Sequence, residues 1–179
     1  MNKIEQKADV VIIGGGVNGC SLAYQLAKKQ KKVVLLERSY LCSGATGRCG
    51  AGIRQQWSTK ENAELAIKSV KIFKRLEKEL GADVGLRQGG YLIAVHDEKD
   101  LKQAEKNVQM QKNLGLEVSI LSPEEIVKIV PILDVKGMKA ISATFCPTDG
   151  HVDPFKTTHA YARAAGKNGA KLYKNFHLS

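Results

Sequence analysis

Apolar positions along this chain fall alternately into short runs and long helical stripes. A β-branched run from Asp9 to Ile13 stops at Gly14-Gly15-Gly16. Val17 to Gln30 then places Leu22, Ala23, Leu26 and Ala27 at helical spacing, and Val33 to Leu36 is a second apolar run, closed by Glu37. Strand, glycine turn, helix and strand follow in that order. A loop rich in Gly, Ser and Thr spans Ser39 to Gly52, and loops of that length usually serve a function. From about Thr59 to Leu80 the stripe Ala63, Ala66, Ile67, Val70, Phe73, Leu76 and Leu80 predicts a long amphipathic helix. Ser58 and Glu61 are spaced as a capping box for it, and Gly81 is a stop signal.

Beyond Gly81 the pattern predicts a strand over Gly90–Val95 and a helix over Glu98–Leu114 stopped by Gly115. A strand follows over Val118–Leu121. Ser122-Pro123-Glu124-Glu125 combines an N-cap serine, a proline at the first helical position and a glutamate at the third, so it starts a helix that ends before Pro131. Ala140–Phe145 reads as a strand, Asp153-Pro154 opens a helix to about Lys167, and Lys171–His177 begins another strand after Gly169.

The 179 residues suit one domain, or one domain with part of another. No apolar run approaches the ~20 residues of a membrane span. The polar start, Met1 to Asp9, leads straight into a strand with no signal-peptide pattern, which sets a cytoplasmic expectation. Cys20, Cys42, Cys49 and Cys146 contain no C-x-x-C pair, so they read as reduced thiols rather than zinc or redox ligands. The net charge of +10 raises the question of nucleic acid. Its lysines are scattered, however: Lys28, Lys29, Lys31 and Lys32 close one helix, and Lys68, Lys71, Lys74 and Lys78 sit among acidic residues. No nucleic-acid signature accompanies them. An anionic cofactor or an acidic partner subunit is the better use of the charge.

The candidate chemistry begins at Gly14-x-Gly16-x-x-Gly19. The first glycine permits a tight turn off the strand, the second lets backbone approach a pyrophosphate, and the third allows close helix packing. The helix start then offers free N–H groups and a partial positive charge to phosphates. Glu37, at the end of the second strand, is placed to accept hydrogen bonds from ribose hydroxyls. These features define a dinucleotide site without separating NAD from FAD. The loop after Glu37 favours FAD over a nicotinamide, although its composition also suits a plain flexible glycine loop. Ser43, Gly44, Ala45, Thr46, Gly47 and Arg48 offer hydroxyls, free N–H groups and a guanidinium suited to a pyrophosphate and a ribityl chain. A nicotinamide enzyme usually enters its next helix quickly instead.

Gly14–Gly19, Leu35–Arg38 and Ser43–Arg48 together resemble the D-amino-acid-oxidase-type flavoproteins. Arg48–Trp57 and Cys146–Phe155 are similar to the β subunits of dye-linked L-proline dehydrogenases and heterotetrameric sarcosine oxidases. The likeness covers nearly the whole chain in order. It implies an α/β fold: a Rossmann-type FAD-binding domain with a parallel sheet from Asp9–Ile13, Val33–Leu36 and Lys171–His177, over residues 1–84 and 147–179. Residues 85–146 would form part of an α+β substrate-binding domain. It implies FAD as cofactor, bound by Gly14, Gly16, Val17, Asn18, Gly19, Glu37, Arg38, Ser43, Gly44, Thr46, Arg48, Cys49 and Gly50. It also implies oxidation of the C–N bond of an amino acid or amine by hydride transfer to flavin.

Arg54 reads either as a contact for a substrate carboxylate or as a structural arginine. Cys49 reads as a point for a covalent flavin link or as an inert small residue, His151 as an acid or base or as a residue approaching a helix, and Trp57 as a flavin shield or as a core or helix-start aromatic. Members of the resembled family are about twice as long. The expectation is therefore a truncated chain with an open sheet edge, which partner subunits or a homo-oligomer would cover. A non-catalytic nucleotide-binding fragment is the alternative reading.

Overall fold

The computed structural model describes residues 7–176, and the last predicted strand residue, His177, lies outside them. The chain divides into two compact units. One comprises Met1–Ala51, Arg75–Leu86 and Val152–Ser179, and the other Gly52–Lys74 and Arg87–His151.

The first unit is built on a parallel sheet. Its strands are β1 (Val10–Ile13), β2 (Val33–Leu36) and β8 (Lys171–Tyr173), in the order β1-β2-β8. Every residue of β2 is buried, which is why its sequence is a continuous apolar run rather than an alternation. Helix α1 (Val17–Lys28) buries Cys20, Ala23, Tyr24 and Ala27. Helix α5 (Pro154–Lys167) buries Thr157, Thr158, Ala160, Tyr161, Ala162, Ala164 and Ala165. Small side chains on both helices permit close packing, and the Tyr24 and Tyr161 rings meet in a tilted contact at 5.9 Å. Asp153 caps α5 by accepting from the Lys156 N–H, with Pro154 at its first position.

Among the described residues β1 pairs on one side alone, with β2. Val11 and Ile13 are 56% and 73% exposed. That is the open edge expected from the sequence.

The second unit holds an antiparallel sheet, β4 (Tyr91–Val95), β6 (Ser142–Cys146) and β5 (Ser119–Leu121), in the order β4-β6-β5. Helix α3 (Glu98–Asn113) carries an Asp97 cap, and α4 (Pro123–Ile129) carries the predicted Ser122–Glu125 capping box in full. A two-residue pair, β3 (Gly52–Ile53) with β7 (Gly150–His151), adds a small ladder.

Several boundaries differ from the sequence pattern. Helix α1 stops at Lys28 rather than Gln30, because Gln30 turns left-handed at φ +60. Strand β8 stops at Tyr173, and Asn175 takes φ +54, so the chain turns away before 177. Helix α2 (Lys60–Leu80) starts one residue late for the predicted box: Ala63 N–H bonds to the Thr59 carbonyl, which makes Thr59 the residue before the first turn instead of Ser58. Its apolar stripe is as predicted, with Ala63, Val70, Leu76 and Leu80 buried. No helix among the described residues is long and apolar enough to cross a membrane.

Candidate functional site

The glycine turn after β1 is shaped by two conformational demands. Gly14 sits at φ +109, a conformation that L side chains rarely adopt. Gly19 lies so close to the turn that a Cβ there would collide with the Gly14 carbonyl oxygen. These two glycines let α1 start directly over the end of β1. Among the described residues no protein acceptor meets the N–H groups of Gly16, Asn18 and Gly19. No acidic side chain occupies the first turn of α1. A helix start with free donors and no nearby acid on the helix is a site for an anion.

Glu37 organises the surroundings of that turn. It is 7% exposed. Its Oε2 accepts from the Gly15 N–H at 2.6 Å, and its Oε1 accepts from the Ser39 N–H at 2.8 Å and the Ser43 hydroxyl at 3.2 Å. Burial pushes this carboxyl up, but the hydrogen bonds from Gly15, Ser39 and Ser43, aided by Arg38, outweigh it and hold the group below its ordinary range. A carboxylate has roughly four acceptor positions. The three protein donors leave about one for a ligand hydroxyl. The sequence expectation for Glu37 was a ribose contact; the structure adds that the same side chain ties the glycine turn to the loop.

Thr46 makes a second tie. It lies in a single 3-10 turn, Ala45–Arg48, and its Oγ1 accepts from the Val17 N–H at 3.2 Å. A loop hydroxyl thus caps a helix 29 residues away in sequence. Thr46→Ala is expected to cost about 1 kcal/mol in a urea unfolding midpoint, with Thr46→Ser close to wild type. Equal midpoints for Thr46→Ala and wild type would count against the cap.

Between turn, strand end and loop lies a cavity of about 660 Å³, within the size range of ligand pockets. Of the residues predicted to hold the cofactor, Gly14, Gly16, Asn18, Gly19, Glu37, Arg38, Ser43, Gly44 and Thr46 line it. Val17, Arg48, Cys49 and Gly50 do not. Val17 contributes its N–H to Thr46. Arg48, Cys49 and Gly50 are exposed at the end of the loop, and the Cys49 thiol bonds back to the Thr46 carbonyl at 3.1 Å. Sequence reasoning missed Gly15, whose backbone Glu37 grips, and Phe176, which lines the cavity. The Phe176 N–H bonds to the Glu37 carbonyl at 3.0 Å, and only the neighbouring strand's end could have signalled it. Cys20 packs beneath the turn, where burial, with Cys42 and Glu37 nearby, pushes its thiol up to about 12, so it is an inert thiol.

The sequence of this chain from residue 9 to 178 matches the family model described as FAD dependent oxidoreductase. The chain belongs to that family. Of this chain, 94% aligns with rat mitochondrial dimethylglycine dehydrogenase at 35% identity, covering 20% of the relative. Likewise 93% aligns with the sarcosine oxidase subunit beta of Arthrobacter sp at 31% identity, covering 42% of it. The structure of L-proline dehydrogenase from P. horikoshii superposes with a TM-score of 0.89 at 37% identity, over 97% of this chain and 46% of that one. The chain thus spans less than half the length of these relatives. The family cofactor is FAD, and the cavity fits it on grounds of its own: free N–H donors at a helix start, a turn in which Gly14 takes a positive φ and Gly19 has no room for a Cβ, and a carboxylate with acceptor capacity left over.

In the second unit, Arg54 and Trp57 form a separate feature. The Arg54 guanidinium carbon lies 4.3 Å from the centre of the Trp57 ring, and the Trp57 indole N–H donates to the Arg54 carbonyl at 3.0 Å. Trp57 is therefore a surface stacking partner rather than a core aromatic. No carboxylate among the described residues pairs with Arg54. Both residues line a groove of about 260 Å³. His151 is exposed, and its backbone pairs with Gly52 and Arg87.

Proposed function

We propose that this chain carries the nucleotide-binding half of an enzyme that oxidises the C–N bond of an amino acid or secondary amine of the proline, sarcosine or glycine class. The observation that carries the reading is the 660 Å³ cavity, with unpaired N–H groups at one wall and Glu37 at another. FAD, when bound, supplies the hydride acceptor. The N–H groups of Gly16, Asn18 and Gly19 would hold its pyrophosphate, with Arg38 adding positive charge. Glu37 would accept from a ribose hydroxyl. Ser43, Gly44 and Thr46 would border the phosphates, and Arg48, Cys49 and Gly50 would meet the ribityl and flavin end from the loop tip. Arg54, a guanidinium without an anionic partner, would take the substrate carboxylate.

The substrate class is supported by the names of the relatives, which act on dimethylglycine, sarcosine and proline. Residues 1–84 and 147–179 would chiefly serve FAD and residues 85–146 the substrate, with Arg54 an exception on the segment Gly52–Lys74 that folds with the second unit. One relative is a β subunit, which supports partner subunits here, and a homo-oligomer closing on the β1 edge is the other way to cover it. The four free thiols suit a reducing compartment such as the cytoplasm, although several relatives are mitochondrial.

A second reading is FAD binding by these residues without turnover, the cavity in the first unit being formed by the nucleotide-side residues alone. One experiment separates them. The purified chain is incubated with FAD, desalted, and its visible spectrum recorded, then L-proline, sarcosine and glycine are supplied with a dye acceptor. Retained flavin with dye reduction supports the first reading, and retained flavin without it supports the second. A colourless protein overturns FAD binding by this chain.

A further inference from the structure

Between β3 and α2 the chain buries two consecutive polar side chains, Gln55 and Gln56, while their neighbours Arg54 and Trp57 face the groove. Their partner is Asp149, which is 0% exposed. Its Oδ1 accepts from the Gln55 N–H and from Gln55 Nε2, each at 2.9 Å, and its Oδ2 accepts from Gln56 Nε2 at 3.1 Å. Gln56 extends the network, donating to the Tyr91 carbonyl at 2.8 Å and accepting from the Thr144 hydroxyl at 2.7 Å. Gln111, 3% exposed, reaches the same segment from α3: its Nε2 donates to the Trp57 carbonyl at 2.9 Å. Its Oε1 is left without a partner among the described residues.

Burying a carboxylate and three amides is unfavourable unless each is well bonded. Here the bonds converge on one four-residue segment, Arg54–Trp57. We propose that Asp149 and Gln111 are positioning residues that preorganise the Arg54 guanidinium over the Trp57 ring for a carboxylate. An arginine stem has several rotatable bonds, and fixing them before binding removes an ordering cost from the encounter. Gln111 adds a second anchor from α3, through its bond to the Trp57 carbonyl. For its ligand the inference rests on the reading of Arg54 proposed above; for the loop it rests on geometry alone.

Trp57 is the only tryptophan in the chain, so its fluorescence reports on this segment. The test compares wild type, Gln111→Met, Asp149→Asn and Arg54→Met by melting temperature, acrylamide quenching of Trp57, and Trp57-detected titration with L-proline. Pyrrolidine, which lacks the carboxylate, is the control. Gln111→Met removes the bond and the unsatisfied oxygen together. It is expected to melt near wild type, yet raise quenching severalfold and weaken the L-proline titration about tenfold, the scale of one lost hydrogen bond. Asp149→Asn sets an amide N–H₂ against Gln56 or Gln55 and is expected to shift both readouts further. If Asp149→Asn fails to fold, Gln111→Met decides alone.

Unchanged quenching in the folded variants overturns the proposal, as does a lowered melting temperature with both Trp57 readouts unmoved. If wild type does not respond to L-proline, or Arg54→Met responds as wild type does, the reading of Arg54 as the carboxylate contact falls. The quenching comparison then still decides whether the clasp positions the segment.

Discussion

Gly19→Ala is expected to unfold the nucleotide unit at a markedly lower urea concentration, with a loss of about 3 kcal/mol, and to retain no flavin after desalting. The added Cβ would meet the Gly14 carbonyl oxygen, a backbone atom, and would lie 3.4 Å from Ile12 Cγ2. A side-chain neighbour could rotate away, but this one can move only if the turn opens or α1 lifts off β1. Overpacking of that kind costs about 1–3 kcal/mol, and a backbone obstacle puts it at the upper end. Lifting α1 would also displace the unpaired N–H groups of Gly16, Asn18 and Gly19, so stability and cofactor retention fall together.

Gly44→Ala is the control for that experiment. Its Cβ would meet nothing within 4 Å and its φ is −94. Its unfolding midpoint is expected to stay within about 0.5 kcal/mol of wild type. Equal midpoints for Gly19→Ala and Gly44→Ala would sink the close-packing account of the turn.

The second large effect is expected at Glu37. Glu37→Gln keeps the shape but presents an amide N–H₂ to either the Gly15 N–H or the pair Ser39 N–H and Ser43. One buried donor then loses its acceptor, which costs about 2–3 kcal/mol where the lost acceptor was charged. The pH dependence follows from the direction of the shift. The folded carboxyl titrates below its ordinary value because the bonds from Gly15, Ser39 and Ser43 overcome the effect of burial. Its stabilisation is therefore complete above the unfolded value of about 4.3, and is lost as the pH falls from there through the lower folded value. Wild type and Glu37→Gln should differ most at neutral pH and converge on acidification. A difference that stays constant from neutral pH down to full protonation would show that the carboxylate charge plays no part.

Much of the nucleotide unit could be read from local pattern. A β-branched run, three glycines, a helical stripe and a second apolar run admit few arrangements besides a parallel β-α-β turn, because each glycine answers a local steric demand. The Ser122–Glu125 box was equally legible, since its hydrogen bonds span only three residues. Boundaries were less so. Gln30 and Asn175 take left-handed conformations that composition does not announce. The cavity membership of the loop was read in part: Ser43, Gly44 and Thr46 line it while Arg48, Cys49 and Gly50 do not, because the 3-10 turn over Ala45–Arg48 carries the chain away from the wall.

By itself, the sequence determined the element order, the glycine turn and the chemistry of the candidate cofactor site, because those depend on neighbours close in the chain. Tertiary structure alone decided the pairings between distant groups: Thr46 on the Val17 N–H, Glu37 on the Gly15 N–H, and Asp149 on Gln55 and Gln56 across more than 90 residues. A buried polar side chain must find a partner wherever the fold brings one. No periodicity in the chain records which partner that will be.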